Sequence, residues 1–441
     1  MIVMKFGGSS VESAAAIERV AKIVAGRRRE RPLVIVSAMA KTTDRLVEIG
    51  ESAAAGRRAK ALRLLEALRE FHDRETAALG EQEILRPIFE ELTELVHGLA
   101  VLGELTPRAR DAVMSYGERL SSLIVARYFA HFGLLAVHVD SQRCMITDDR
   151  HTQAQPLDAP TRARMKKLAA PQIAAGKIVV MGGFIGATRS GVTTTLGRGG
   201  SDYSAAIFGA ALGAKRIEIW TDVDGVLTAD PRVYAHAKPV PQISFEEAAE
   251  LAYFGAKVLH PATILPAIEK NIPVQVLNSR RPEAKGTRIA RRAAAAGQFR
   301  AIACKRNITL VDITSTRMLM AYGFLARIFQ VFAAHHTSVD MIATTEVSVS
   351  LTVDDTRHLK PIVAELQRIA RVEVSGGKAI VCLVGDNVRP TPGISGRVFT
   401  AIRDVNVIMI SQGASERNLS FVIAETDLPR AVRLLHEAFF K

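Results

Sequence analysis

The sequence predicts an α/β protein in which a largely parallel central sheet, with helices on both faces, is followed by two small βαββαβ modules. Short apolar segments alternate with long helical patterns up to residue 290, as in parallel strands joined by helical crossovers. The C-terminal part of the chain contains an internal repeat. Hydrophobic residues make up 48% of the 441 residues, so the chain can build sizeable cores.

The N-terminal region is expected to contain six short buried strands. They are residues 1–6, 33–37, 134–139, 177–181, 216–220 and 273–277. Long helical patterns separate the strands, most clearly at 46–70 and 83–102. Residues 290–297 (ARRAAAAG) have no apolar pattern of their own, and we interpret them as a linker.

The C-terminal repeat pairs Gly323–Phe329 (GFLARIF) with Gly393–Phe399 (GISGRVF), and Glu346 with Glu416 at the same offset. Each copy reads as a strand, a loop, a helix, two further strands and a helix. One such unit is small for a stable domain, so the two are expected to pack together. A tandem of this kind is typical of a sensor rather than of a catalyst.

The chain is basic, with a formal net charge of +13 and a pI near 9.8. Its densest basic run, RRRER at 27–31, lies at the end of the first predicted helix. Cations are favourable at a helix C-terminus for ordinary electrostatic reasons. No aromatic residues are interleaved with the basic run, and net charge alone is a weak guide to partners. A nucleic-acid partner is therefore not expected.

The cysteines and the hydropathy pattern indicate the cellular compartment in which the protein works. Cys144, Cys304 and Cys382 lie far apart and have neither metal-ligand spacing nor a disulfide pattern. We interpret them as buried thiols in a reducing cytoplasm. No apolar run reaches the roughly 18 residues that a membrane span needs, so no membrane partner is expected.

The first candidate site is KFGGSS at the end of the first strand. Lys5 is followed by Gly7, Gly8, Ser9 and Ser10, and then by a helix. Glycines let backbone amides approach a phosphate, and the first turn of a helix favours anions. The order of residues differs from that of a Walker A loop. The alternative is a surface lysine followed by an ordinary tight turn.

The second candidate is TTTLGRGGSDYS at 193–204, a loop with many hydrogen-bond donors and little bulk. Arg198 could bind a carboxylate through a forked pair of hydrogen bonds. Asp202 could bind an amino group or orient other residues. The alternative, a flexible surface loop, is disfavoured because an apolar helix follows and fixes the end of the loop.

The third candidate is WTDVDGVLTADPR at 220–232, where carboxylates follow a strand and could position a nucleotide, its Mg²⁺ or a lysine. An Asx-turn is the alternative. Lys257 and Glu118 are further candidates, although each alone could be an ordinary exposed helix residue. The histidines lack HExxH spacing and no G-x-S-x-G motif occurs, so neither a zinc site nor the simplest hydrolase is predicted.

Together these stretches resemble the aspartate kinase family. KFGGSSV, VSAMAKTTDRLV, SYGERLS, TTTLGRGGSDY, WTDVDGVLTADPR and FGAKVLHP occur in the family's order and span nearly the whole chain. The resemblance implies the amino acid kinase fold followed by two ferredoxin-like ACT domains, in a monofunctional, lysine-sensitive form. It implies a catalytic domain at 1–290, an effector-binding first ACT domain at 307–378, and a second ACT domain at 299–306 plus 379–441.

The reaction implied by the resemblance is the Mg²⁺- and ATP-dependent phosphorylation of the L-aspartate β-carboxylate to 4-phospho-L-aspartate, which leads to lysine, threonine and methionine. Lys5, Arg198 and Asp202 would be catalytic. The implied substrate-binding residues are Thr43, Glu118, Arg198, Ser201 and Asp202. The implied ATP-binding residues are Lys5, Gly7, Gly8, Ser9, Thr221, Asp222, Arg232 and Lys257. No protein ligand is assigned to Mg²⁺, which would be bound through the ATP phosphates.

Regulation by L-lysine is also implied, because MLMAYGFLA, SVDMIATTEV and VSVSLTV resemble the first ACT domain of lysine-sensitive enzymes. The implied effector pocket consists of Met318, Gly323, Phe324, Leu325, Ser338, Val339, Asp340 and Glu346. The two acids would bind a cationic ligand, although they could be ordinary acids at strand ends. ACT domains generally pair across subunits, which implies a homodimer or a tetramer.

Three positions depart from the family's pattern. Leu227 stands where an aromatic residue near the adenine is usual, and Asp44 replaces an asparagine. Ala321 replaces a serine of the effector loop, which removes one possible hydrogen bond to lysine.

Two other functions are compatible with parts of this sequence. The chain could be another kinase of the same fold, acting on glutamate, acetylglutamate or a nucleotide, but the tandem modules and SYGERLS argue against it. It could instead be a non-catalytic amino acid sensor. A sensor is expected to have lost Lys5, Arg198 or Asp202, and all three are present.

Overall fold

The computed structural model describes residues 1–80, 83–255, 261–293, 299–316 and 322–440. They form two compact units. Unit 1 consists of Met1–Gly225 and His260–Arg292, and unit 2 of Val226–Leu259 and Ala293–Lys441. In the described part of the chain, no helix is both long and apolar enough to cross a membrane.

Unit 1 contains a largely parallel sheet, as predicted. Its strands are β1 (Ile2–Phe6), β2 (Pro32–Val36), β3 (Ala136–His138), β5 (Ile178–Gly182), β8 (Ile217–Thr221), β10 (Val274–Asn278) and β11 (Thr287–Ala290), and a smaller sheet is formed by β4 (Ile146–Thr147), β6 (Ile185–Thr188) and β7 (Thr193–Thr195). In the main sheet these strands follow the order β3-β5-β2-β1-β8-β10-β11, and β10 and β11 are antiparallel. The six predicted strands lie within two residues of the observed ones, whereas the small sheet was not predicted.

The helices of unit 1 correct one prediction. They are α1 (Ala14–Arg27), α2 (Thr42–Ala54), α3 (Arg58–Ala78), α4 (Arg86–Leu102), α5 (Pro107–His131), α6 (Asp158–Leu168), α7 (Ala170–Ala174), α8 (Gly200–Leu212) and α10 (Leu265–Glu269). The single helix predicted at 46–70 is wrong, because α2 and α3 are separated at Gly56. The φ of Gly56 is +72°, a left-handed conformation that ends a helix.

The strand β1 shows how the sheet is covered. Ile2, Met4 and Phe6 belong to a hydrophobic core that also contains residues of α5. Val3 lies near Gly209 of α8, and Lys5 pairs with Asp202 of the same helix. Because successive side chains of a strand point to opposite faces, α5 and α8 cover opposite faces of the sheet. Lys5 thus points to the α8 face.

Unit 2 is built around a six-stranded antiparallel sheet in the order β13-β14-β12-β15-β17-β16. The strands of this sheet are β12 (Phe299–Thr314), β13 (Ile342–Thr344), β14 (Ser348–Val353), β15 (Arg371–Gly385), β16 (Val407–Gln412) and β17 (Asn418–Ala424). The unit also contains the short strand β9 (Gln242–Ser244), which is not part of this sheet. Its helices are α9 (Phe245–Tyr253), α11 (Phe324–Ala334), α12 (Leu359–Leu366), α13 (Ile394–Ala401) and α14 (Leu428–Phe439).

The two long strands β12 and β15 explain how the repeats share one sheet. They pair along their lengths, with register shifts near the middle of β12. One half of each strand joins β13 and β14, while the other half joins β16 and β17. Each set of four strand segments has its own hydrophobic core. The helices α11 and α13 both follow a glycine of positive φ, Gly323 and Gly393, as the sequence repeat predicts.

The predicted domain boundaries stay predictions, but the compact units divide the chain differently at one place. Residues 226–259, which the sequence assigned to the catalytic domain, cluster with unit 2. Within that unit, Glu247 of α9 forms a buried ion pair with Arg300 of β12 at 3.0 Å, and α9 also packs on β15. The second half of the linker predicted at 290–297 lies outside the described residues, and its first residue, Ala290, is the last residue of β11.

Candidate active site

The central feature of unit 1 is the ion pair between Lys5 and Asp202. The Nζ atom of Lys5 lies 2.7 Å from Oδ1 of Asp202, and the two side chains are only 11% and 19% exposed. Lys5 is on β1, which pairs with β2 on one side and β8 on the other, and Asp202 is in the first turn of α8. The alternation along β1 places the lysine on the face covered by α8, where it meets Asp202.

The glycines after Lys5 allow the backbone to approach closely. A Cβ atom on Gly8 would lie 2.8 Å from the Ala38 carbonyl oxygen, so a side chain there would clash. Gly7 donates its N–H to the Trp220 carbonyl at 3.0 Å, and its missing Cβ would lie 3.7 Å from Nζ of Lys5. Ser9 is half-buried in the short turn Gly8–Ser10. The sequence KFGGSS therefore forms a small, narrow turn directly beside the lysine.

Glu118 is a buried acid, not the exposed helix residue considered as an alternative. It is 3% exposed on α5, and its Oε1 atom accepts a hydrogen bond from the Ala38 N–H at 3.1 Å. Its Oε2 atom has no hydrogen-bond partner among the described residues. Burial raises the pKa of Glu118 to about 8, against the opposing effect of the Ala38 N–H and of Lys5. Such a carboxyl readily accepts a cationic partner.

Two glycines at the end of β5 let α5 and α8 each approach this strand closely. A Cβ on Gly182 would lie 2.9 Å from Cβ of Glu118, and a Cβ on Gly183 would lie 2.6 Å from Cβ of Ser201. Gly183 also donates its N–H to the Val36 carbonyl at 2.8 Å. No role was predicted for Gly182 and Gly183, although a Gly-Gly step at the end of a buried strand is a signal for close approach.

The loop before α8 carries the remaining predicted substrate residues. Gly197 and Gly199 have positive φ, and α8 begins at Gly200. Ser201 is 9% exposed, whereas Arg198 is exposed. The guanidinium is thus available to a ligand beside the first turn of α8. Thr43 lies in the first turn of α2 and is half-buried.

Phe184 was missed by sequence reasoning. It is a non-glycine residue with a φ of +62°, and it donates its N–H to Oγ of Ser204 at 2.9 Å. A Cβ on Gly200 would lie 2.7 Å from the Phe184 ring. Left-handed backbone at a bulky residue is costly and is usually found at functional sites. A Gly-Phe step in the sequence gives no indication of it.

Thr221 and Asp222 stand at the carboxyl end of β8. The Thr221 hydroxyl donates to Oδ1 of Asp222 at 3.2 Å, and the Asp222 side chain is exposed. The neighbouring Asp224 accepts a hydrogen bond from Nδ2 of Asn278 at 2.7 Å and pairs with Arg281. Asp224 is therefore a structural acid, while Asp222 remains accessible to a ligand.

Of the remaining predicted nucleotide residues, one lies in unit 2 and the other is outside the described residues. Arg232 belongs to unit 2, where its exposed guanidinium pairs with Asp230 at 2.6 Å. It borders a cavity of about 550 Å³ whose lining includes Lys305 and Arg306. Lys257 lies outside the described residues.

The predicted effector residues all belong to unit 2. Asp340 is the most distinctive of them: its Oδ1 atom lies 2.6 Å from Nζ of Lys305, and its Oδ2 atom is buried without a hydrogen-bond partner among the described residues. Lys305 also lies 2.6 Å from Asp354. Burial raises the pKa of Asp340, with Lys305 opposing the rise.

The remaining effector residues vary in exposure. Phe324 is buried and Val339 packs on the core of the first repeat. Gly323, Leu325, Ser338 and Glu346 are exposed. Met318 and the departure at Ala321 lie outside the described residues.

Comparison with known proteins defines the class. The profile of the amino acid kinase family matches residues 1–278, and that of the ACT domain matches residues 381–439. The chain is thus an amino acid kinase that carries a C-terminal ACT domain.

The relatives narrow this class. The chain is 43% identical to aspartokinase 3 of Arabidopsis thaliana, covering all of this chain and 81% of that protein, and 40% identical to the lysine-sensitive aspartokinase 3 of Escherichia coli, covering 100% and 99%. Two structures of E. coli aspartokinase III match over both full chains. The complex with lysine and aspartate gives a TM-score of 0.86 at 38% identity, and the complex with aspartate and ADP gives 0.84 at 39%. The chain belongs to the aspartokinases.

Proposed function

We propose that this aspartokinase transfers the γ-phosphoryl group of ATP to the β-carboxylate of L-aspartate, giving 4-phospho-L-aspartate and ADP. The observation that carries the proposal is the buried Lys5–Asp202 pair beside the glycine turn. The E. coli relatives whose structures hold aspartate with ADP or with lysine support the same substrates. The reaction would be the first step of lysine, threonine and methionine biosynthesis.

The proposed reaction depends on neutralising the charge of the transferring phosphoryl group and needs no general base. The β-carboxylate of aspartate has a pKa of about 3.9, so it is already ionised and nucleophilic at neutral pH. Lys5, fixed by Asp202, would neutralise the charge on the transferring phosphoryl group. The narrow turn at Gly7, Gly8 and Ser9 leaves room for phosphate oxygens next to that ammonium.

Aspartate would be bound by groups of opposite charge. The exposed Arg198 guanidinium suits the α-carboxylate. Glu118 suits the ammonium, because its unpartnered oxygen is buried and a cation would favour its ionised form. Ser201 and Thr43, at the starts of two helices, would donate hydrogen bonds to the substrate.

Within unit 1, the nucleotide would be bound by Thr221 and Asp222 at the end of β8. The nucleotide-binding roles of Arg232 and Lys257 stay predictions from the sequence. Among the described residues, no group of three or more His, Cys, Asp or Glu side chains could hold a metal ion. Mg²⁺ would be bound mainly by phosphate oxygens with one or two carboxylates, for which the exposed Asp222 is suited. Magnesium would reduce the negative charge of the ATP phosphates.

L-lysine would act as an allosteric inhibitor through Asp340 and the residues around it. Lys305 faces two acids, Asp340 and Asp354, so this cluster carries an excess of negative charge that suits a cationic amino acid. Glu346, exposed on the loop before β14, could add a further carboxylate. Inhibition also requires that lysine bind one of two conformations more tightly.

A homodimer or tetramer formed through the repeats is part of the proposal. The first repeat exposes several large apolar side chains: Tyr322, Leu325, Phe329, Ile342 and Val347. Apolar side chains on neighbouring elements are typical of association surfaces. A cytoplasmic location is proposed because Cys144, Cys304 and Cys382 are all free thiols.

A steady-state assay tests the function directly. Purified enzyme with Mg²⁺ and ATP is expected to release ADP only when aspartate is added, and hydroxylamine should trap the acyl phosphate as the hydroxamate. Glutamate and acetylglutamate serve as substrate controls, and chelation of Mg²⁺ should abolish turnover. Lysine should inhibit. Turnover that is faster with glutamate than with aspartate would refute the substrate assignment, and ADP release independent of any amino acid would refute the transfer.

A further inference from the structure

A buried acid outside the proposed substrate contacts organises unit 1. Asp111 of α5 is fully buried and accepts hydrogen bonds from three groups. The Thr195 hydroxyl donates at 2.5 Å, the Thr152 N–H at 3.0 Å, and Nδ1 of His151 lies at 2.8 Å. A carboxylate with this many donors is a rigid anchor.

Both segments held by Asp111 contact the loop that carries Arg198. Thr195 is the last residue of β7, and Arg198 follows three residues later. The carbonyl of Thr152 lies so close to Gly197 that a Cβ there would be 3.1 Å away. In addition, Ala154 donates its N–H to the Thr195 carbonyl at 2.9 Å. Asp111 therefore holds the Arg198 loop through Thr195, where the loop begins, and through Thr152, which lies next to Gly197.

The position of Asp111 on its helix connects this anchor with Glu118. The two acids are seven residues apart on α5, which corresponds to about two turns and places them on the same face. Glu118 faces the end of β5, and Asp111 faces the end of β7. One helix thus carries the proposed ammonium-binding group and holds the loop of the proposed carboxylate-binding group.

We propose that Asp111 is a positioning residue for aspartate binding, which holds the Arg198 loop at a fixed distance from Glu118 through Thr195 and the 151–152 turn. This inference rests on the proposed roles of Arg198 and Glu118. A purely structural role for Asp111 makes a different prediction: its loss would lower stability without changing the affinity for aspartate relative to that for ATP.

The sharpest test removes a single donor. Thr195→Val keeps the shape of the side chain and removes the hydroxyl that binds Asp111. The KM for aspartate is expected to rise about tenfold, a typical effect of losing one hydrogen bond to a charged group, while the KM for ATP stays within about twofold. Thr195→Ser, which keeps the hydroxyl, should restore the aspartate KM to near the wild-type value.

Thr194→Val is the matched control. Thr194 is the neighbouring residue of β7 and is equally buried, but its hydroxyl lies 2.7 Å from that of Thr147 on the other face of the strand. This variant should lower the melting temperature by a similar amount and leave the KM for aspartate unchanged. Equal rises of the aspartate KM in both valine variants, or no rise in Thr195→Val, would overturn the inference.

A further pair of variants separates this inference from the proposed function. Asp111→Asn keeps one acceptor oxygen and should show a smaller rise of the aspartate KM than Asp111→Ala, with the ATP KM unchanged in both. Arg198→Ala should raise the aspartate KM more than either. If Arg198→Ala leaves that KM unchanged, the substrate assignment is wrong. If it raises the KM and the Asp111 and Thr195 variants do not, only the positioning role is wrong.

Discussion

Two lysine–aspartate pairs of nearly equal length occur in the two units, and they differ in their surroundings. Lys5 lies 2.7 Å from Asp202 in unit 1, and Lys305 lies 2.6 Å from Asp340 in unit 2. Lys305 has a second carboxylate, Asp354, also at 2.6 Å. The first pair is balanced and the second is negative overall. Under the proposed roles, the same local element would bind an anionic phosphate in unit 1 and a cationic amino acid in unit 2.

The two units also differ in the environment of a buried acid near each lysine, Glu118 in unit 1 and Asp340 in unit 2. Burial raises the pKa of both Glu118 and Asp340, and each has one buried oxygen without a hydrogen-bond partner among the described residues. Asp340, however, already binds an ammonium directly, whereas the Glu118 carboxylate is hydrogen-bonded to the backbone N–H of Ala38. A cationic ligand of Asp340 would therefore compete with the Lys305 ammonium. A cationic ligand of Glu118 would compete chiefly with protonation of the carboxylate.

Breaking the first pair should have the largest effect. Lys5→Ala removes a preorganised charge from the transferring phosphoryl group, and kcat is expected to fall by about 10²–10³. Lys22→Ala, which removes an exposed lysine paired with Glu18, is the control and should retain full activity. The measurement is steady-state ADP release with saturating aspartate and ATP. Near wild-type turnover in Lys5→Ala would show that the pair in unit 1 is only structural.

The second prediction concerns Glu118 and pH. The pKa of Glu118 is about 8, so in the free enzyme the carboxyl is protonated below that pH. If it binds the substrate ammonium as a carboxylate, kcat/KM for aspartate should rise about tenfold per pH unit up to that pKa and then level off. In Glu118→Gln this rise should disappear and the KM should increase about 10- to 100-fold. A Glu118→Gln variant with the wild-type profile would contradict the assignment.

The same substitution has an opposite effect on stability. The folded-state pKa of Glu118 lies above its ordinary value of 4.5. Its stabilising contribution is therefore complete below pH 4.5 and is lost as the pH rises through the folded-state pKa. Glu118→Gln stays neutral, so thermal unfolding should show the variant gaining stability relative to the wild type as the pH increases towards 9. This gain, together with a loss of aspartate binding, is expected only of a functional buried acid.

Those parts of the fold and of the candidate site that are encoded in continuous segments could be predicted from the sequence. The apolar strands and the glycine turn after Lys5 are continuous segments, so their pattern predicted β1 and its direction. The burial of Glu118 could not be predicted, because it depends on Ala38 and Gly182, which the fold brings from distant segments. The bond between Lys305 and Asp340 likewise depends on the pairing of β12 with β14. The helix break at Gly56 was missed because a single glycine is often tolerated in a helix.

The smallest predicted effect is that of breaking the pair between Lys305 and Asp340. Lys305→Met keeps the length of the side chain but removes the ammonium that competes with a cationic effector for Asp340. The concentration of lysine that gives half-inhibition should therefore fall, by about two- to fivefold, since part of this cluster is open to water. Asp354→Asn, which removes the excess negative charge, should raise that concentration by a similar factor. Opposite shifts in the two variants, measured at one pH and ionic strength, are the signature of competition for Asp340. Shifts in the same direction would mean that the cluster only stabilises unit 2, because general loosening affects lysine binding in the same sense whichever charge is removed.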